Sequence, residues 1–187
     1  TAQAYSGDAT AIGALADLEV DVYNAGALAA YSTYANAYGI VAIADNGDAN
    51  IANYGSIDAG GYYLAVGASV NSLGGNGYVY NGGDVTATAD GGLDTQAMGI
   101  GASGVDANIV NAGNVSAAAY AVDGAYATGI GILADGSGYA HNYGTIAAYA
   151  YGDFGLAQAI VMNAGGYAYI YNGGDLVAYG AGGASAT

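Results

Sequence analysis

Apolar and polar positions alternate along this chain in blocks that return about every 30 residues. The blocks align on Asn-x-Gly-x-(Ile/Leu/Val)-x-Ala, which begins at Asn24, Asn53, Asn81, Asn111, Asn142 and Asn172, at steps of 29, 28, 30, 31 and 30 residues. With each Asn as zero, position minus two reads Val22, Ile51, Val79, Ile109, Ala140 and Ile170, and plus two is Gly throughout. Plus four reads Leu28, Ile57, Val85, Val115, Ile146 and Leu176, and plus six is always Ala. A period of two residues marks a strand with one buried face, so these even positions are predicted to point inward. The odd positions mix Tyr, Asp, Asn and small residues and form the outward columns.

A second apolar cluster precedes each Asn by 11 to 15 residues, at Ile12, Ile40, Val66, Ile100, Ile130 and Ile160, often as Ala-x-Gly-Ile. It is predicted to be another strand of the same repeat. Stretches such as Ala44-Asp45-Asn46-Gly47-Asp48 and Ala134-Asp135-Gly136-Ser137-Gly138 separate the two, and there Gly, Asn and Asp are expected to supply positive φ at corners. Self-similarity at this period is what stacked coils leave in a sequence. The prediction is an all-β chain: one right-handed parallel β-helix, or β-solenoid, spanning residues 1–187 as a single domain of about six repeats, with one coil per repeat favoured over two smaller ones. At a strand spacing of roughly 4.8 Å the rod would be about 29 Å long.

An inward amide costs free energy unless it is bonded. Asn24, Asn53, Asn81, Asn111, Asn142 and Asn172 are therefore predicted to form a ladder, each amide bonding to the one in the next coil, as in cross-β stacks.

Composition narrows the picture. With 35 Gly, no Pro, and apolar content that is mostly Ala and Tyr, the core should be thin. Long helices are disfavoured, because each interior Gly costs a helix roughly 1 kcal/mol relative to Ala. There is no Lys or Arg, and 15 acidic residues give a formal charge of −15. Nucleic acids and anionic membranes are recognised by basic surfaces, so neither is an expected partner, whereas cations, above all divalent ones, are compatible with this charge. No run stays apolar long enough to span a bilayer, and the opening Thr-Ala-Gln-Ala-Tyr lacks the features of a signal peptide. The absence of Cys excludes disulfides and thiolate metal sites.

The pattern (Ile/Val)-x-Asn-x-Gly-x-Ile-x-Ala followed by Ala-x-Gly-Ile resembles the repeats in passenger regions of bacterial autotransporters and related haemagglutinin-like surface proteins. The resemblance spans nearly the whole chain and rests on repeat consensus. It implies an extracellular or bacterial cell-surface location, and a structural or adhesive role without catalysis. Because Ala184-Ser185-Ala186-Thr187 stops the last repeat before its next Gly-Ile cluster, both ends are expected to be uncapped. Open strand edges would then favour end-to-end association into a filament, or membership of a longer shaft that meets cell surfaces or glycans.

Candidate chemistry is sparse. The one histidine, His141, occupies an outward column that carries Tyr in three other repeats, and nothing places it in a triad with Ser116 and an acid. The alternation Asp17, Glu19, Asp21 is the best paired-carboxylate cluster for the alternative reading, a β-helix glycan hydrolase or lyase. Gly99-Ile100-Gly101-Ala102-Ser103-Gly104 matches a dinucleotide fingerprint, but it sits in the repeat phase of Ala-x-Gly-Ile and no helix pattern follows. No cofactor is expected apart from calcium, for which Asp45, Asp48 and Asn50, and Asp90 with Asp94, offer oxygens at glycine-rich corners. Twenty tyrosines supply amphipathic surface suited to adhesion.

Overall fold

Three short strands close each coil, and like strands of successive coils pair in parallel. The computed structural model describes residues 1–181 together with the strand Ser185–Ala186. Ala184 and Thr187, on which the expectation of a repeat cut short partly rests, lie outside the described residues. Sheet A holds Ala2–Ala4, Leu28–Ser32, Ile57–Gly61, Val85–Asp90, Val115–Tyr120, Ile146–Tyr151 and Leu176–Ala181. Sheet B holds Ala9–Ala16, Ala37–Ala44, Leu64–Ser72, Asp94–Gly104, Gly124–Ala134, Phe154–Ala164 and Ser185–Ala186. Sheet C holds Val20–Asn24, Ala49–Asn53, Gly77–Asn81, Ala107–Asn111, Gly138–Asn142 and Ala168–Asn172. No helix occurs among the described residues. The chain is a parallel β-solenoid of about six turns, with one turn per repeat.

The even-position alternation runs through two strands rather than one. Sheet C ends on the Asn, three residues make the corner, and sheet A begins at plus four without a change of inward phase. Plus two is Gly because the coils stack closely there. A Cβ on Gly55, Gly83, Gly113, Gly144 or Gly174 would overlap the carbonyl oxygen of the glycine one coil below.

Sheet B bends in mid-strand. Ala97 faces inward, Gly99 has no partner in the ladder register, and Ile100 faces inward again, so the buried phase shifts by one residue. Gly39, Gly67 and Gly129 occupy the same place. A Cβ at these four glycines would overlap a branch methyl of Ile57, Val85, Val115 or Ile146 on sheet A. The Ala-x-Gly-Ile pattern thus records a bend packed against sheet A. Register also corrects the predicted column: Val66 pairs with Tyr38 and Met98, and the inward place between Ile40 and Ile100 belongs to Ala68.

The bend divides the core into two lobes. One is built of Ile, Val and Ala from all three sheets, with Ile40, Ile51, Ile100, Ile109, Ile130 and Ile146 fully buried. Each such Ile contributes about 1.5–3 kcal/mol. The other lies between the end of each sheet A strand and the start of each sheet B strand, and its largest cluster is 11 alanines with no larger side chain. The thinness expected from composition is localised there.

Corner chemistry departs from the expectation of positive φ. Neither Gly47 nor Gly136 adopts it. A side chain at Gly47 is excluded by the Leu18 carbonyl, and one at Gly136 would come within 2.6 Å of Asp106 Oδ1. Close stacking, rather than left-handed backbone, selects glycine at these corners.

Candidate functional site

The six asparagines end the sheet C strands in one column. The Nδ2 of Asn24, Asn53, Asn81 and Asn142 each donates to the Oδ1 of the next asparagine at 2.7 Å, and that of Asn111 does so at 2.8 Å. The second Nδ2 proton goes to the carbonyl of the plus-two glycine, as in Asn81 to Gly83 at 2.7 Å. Both amide protons are therefore used, which lets Asn53, Asn81, Asn111 and Asn142 sit at 0% exposure. Asn and Gly of the repeat act as one device: the glycine stacks closely enough to present its carbonyl, and the amide fills the space beside it.

Three carboxylates accept from side-chain amides of the neighbouring coil. Asp17 Oδ1 accepts from Asn46 Nδ2 at 2.6 Å, Asp21 Oδ1 from Asn50 Nδ2 at 2.9 Å, and Asp84 Oδ1 from Asn114 Nδ2 at 2.9 Å. Within the strand registers of the described residues, no carboxylate faces another. Like charges one strand apart would repel. An amide above an acid replaces that repulsion with a hydrogen bond.

A second staircase runs along the corner between sheets B and C. Asp48 Oδ1 accepts the backbone N–H of Asn76 at 2.7 Å, Asn76 Oδ1 that of Asp106 at 3.2 Å, and Asp106 Oδ1 that of Ser137 at 2.7 Å. Sequence reasoning missed it, although these residues all stand five places before the Asn. Beside it, Ser72 Oγ donates to the Gly47 carbonyl at 2.6 Å and accepts from Gly75 N at 2.9 Å.

The residues considered for calcium lie at two places on the rod. Asp45, Asp48 and Asn50 follow the corner into sheet C, while Asp90 ends a sheet A strand and Asp94 begins the following sheet B strand. Asp48 and Asn50 are tied into the contacts just described. Among the described residues no group of three or more His, Asp or Glu side chains gathers that could hold a metal ion. His141 lies on sheet C and Ser116 on sheet A. Gly99–Gly104 is the second half of a sheet B strand.

Tyrosines line the rod in files. Tyr54 stands 5.4 Å from Tyr23 and 5.2 Å from Tyr80 between ring centroids. Tyr171 lies 5.6 Å from Tyr143 and 6.1 Å from His141. A third file, on sheet A, stacks Tyr120 on Tyr151 at 5.0 Å with rings 2° from parallel. Such pairs contribute about 0.5–1.5 kcal/mol beyond the area they bury.

Four phenols ionise later than usual. The hydrogen bond from Tyr31 to Asp58 raises Tyr31, and partial burial comes first for Tyr38, Tyr78 and Tyr151, with neighbouring Tyr or Asp charges adding to it. A pKa raised in the folded state contributes stability fully present below the unfolded value, here about 10, and lost as pH rises through the folded value. In a phenolate absorbance titration, these four groups are expected to ionise late, and melting temperatures followed by circular dichroism to fall as they do. Tyr31→Phe should remove one late phenol. An unchanged late fraction in that variant would show that Tyr31 is not among the late phenols.

Comparison of the chain with protein-family models, with curated proteins and with solved structures finds no match.

Proposed function

We propose that the chain is a non-enzymatic extracellular rod: the shaft of a surface adhesin, or a filament subunit that stacks end to end. The observation that carries this reading is the unbroken asparagine ladder from Asn24 to Asn172, running with three parallel sheets through every coil. Each coil's asparagine donates to the next coil and accepts from the one before, so the ladder extends by repetition. Exposed tyrosines such as Tyr23, Tyr54 and Tyr143 offer contact surface for glycans or cell surfaces. The spread of carboxylates also supports it: 11 of the 15 stand in corners between strands, distributed over all three corners. The repeat pattern favours a passenger region of the autotransporter or haemagglutinin-like kind, displayed on or released from a bacterial surface.

Labelled chain incubated with glycan-coated or bacterial surfaces is expected to be retained and to release no reducing sugar ends. Retention should fall in a Tyr23→Ser, Tyr54→Ser variant. Release of reducing ends that disappears in Asp17→Asn, Asp21→Asn would overturn the reading in favour of a glycan hydrolase.

A further inference from the structure

On a chain of charge −15 with no Lys or Arg, two copies repel each other wherever carboxylates meet. The outer faces of sheets B and C come nearest to escaping this, with one acidic strand residue each, Asp94 and Asp21, and of the two it is sheet B that carries a trough. The only acidic residue in the six sheet B strands from Ala9 to Ala164 is Asp94, at the very start of its strand. Beyond Asp94, the outer surface of sheet B is uncharged along the length of the rod.

That surface is concave, because each strand bends. A trough runs along the outside of the bend, with about 420 Å³ over the first two coils and about 390 Å³ over the last four. Its floor is the column Gly13, Val41, Ser69, Gly101, Gly131, Val161. One rim carries Leu15 and Leu133, which are 73% and 58% exposed. Where the rim is Leu the floor is Gly, as Leu15 beside Gly13 and Leu133 beside Gly131 show.

The fold does not explain these two glycines. Unlike Gly99 or Gly129, they face outward, and a Cβ would meet nothing nearer than 3.5 Å at Gly13 and 3.4 Å at Gly131. Glycine weakens a strand interior, and its presence there often marks the close approach of another chain.

We propose that sheet B is the lateral pairing surface between two copies of this chain, packed face to face about a two-fold axis parallel to the rod. Each copy's Leu15 and Leu133 seat on the other's glycine floor, and the 15 acids of each stay at the periphery. A strip five residues wide and six coils long is roughly 17 by 29 Å, so it buries about 1,000 Å² over both copies. That is the lower bound for a specific interface, so the pair is weak at this length and strengthens with every added coil. The pairing does not depend on whether the rod serves as a shaft or a filament subunit.

Sedimentation of the chain over a concentration series tests it. A closed step from 18.0 kDa to twice that mass is expected, displaced to lower concentration by salt, which screens the remaining repulsion. Gly131→Asp, whose Cβ has room, and Leu133→Asn, which copies Asn71 and Asn163 of the same column, should stay folded by circular dichroism and sediment as monomers. Ala52→Asp on sheet C should leave the dimer intact. A wild-type chain that stays monomeric at high concentration and high salt, or a dimer that survives both sheet B variants, would overturn the proposal. So would open-ended oligomers insensitive to them, the signature of end stacking alone.

Discussion

Asn81→Asp is expected to destabilise the rod severely at neutral pH and to recover much of the loss in acid. Asn81 is at 0% exposure, accepting from Asn53 Nδ2 and donating to Asn111 Oδ1 and the Gly83 carbonyl. An aspartate keeps the acceptor, but its second oxygen then faces two acceptors and carries an unpaired buried charge. An uncompensated buried charge costs about 3–5 kcal/mol. Burial and the facing oxygens raise the carboxyl pKa above its unfolded value. The stability that depends on the proton is therefore present at low pH and lost as pH rises through the raised value. Once protonated, the group donates to Asn111 and the ladder is restored except for the bond to Gly83. Asn81→Leu, which orphans the Asn53 donor and the Asn111 acceptor at about 1–3 kcal/mol each, should be equally destabilised at both pH values. Urea midpoints at pH 7 and pH 4 check both variants, and a pH-independent loss in Asn81→Asp would refute the electrostatic account.

The second large effect is expected at the bend. Gly99→Ala places a methyl against Val115 Cγ1 and 2.7 Å from the Gly129 carbonyl oxygen. Overpacking of this kind costs about 1–3 kcal/mol. The chain itself supplies the remedy. Where sheet A carries β-branched Ile57, Val85, Val115 or Ile146, the bend is Gly; where it carries Leu28 or Leu176, the bend is Ala11 or Ala159. Leucine branches one carbon further out and leaves free the space that the Cβ methyl of Val or Ile fills. Because Ala11 is accommodated beneath Gly39, the clash with the aliphatic branch, more than the carbonyl above, decides the residue. Val115→Leu added to Gly99→Ala is therefore expected to restore most of the lost stability in thermal melts. Strictly additive losses would show that the carbonyl contact dominates instead.

Much of this was legible because a solenoid repeats its environments. Six copies of Asn-x-Gly-x-aliphatic-x-Ala expose which positions tolerate change, so period, inward phase and coil count follow from one chain. Pairings such as Ile51 with Val79 and Ile109 with Ala140 keep the spacing of the motif because parallel strands stack like on like. The second strand was less legible, because its inward phase slips at Gly39, Gly67, Gly99 and Gly129, and alternation is lost where the strand bends.

The sequence by itself determined the period, the strand character of the repeat and the placing of each asparagine in an inward column, because local pattern and burial share one periodicity. Only the tertiary structure decided that the Asn column marks a corner between two sheets, and that Asp17, Asp21 and Asp84 are each answered by an asparagine amide of the next coil. It also decided that the outward face of sheet B is grooved and carries no acid beyond Asp94. Those features depend on residues about 30 positions apart meeting at one strand spacing, a distance that no local pattern records.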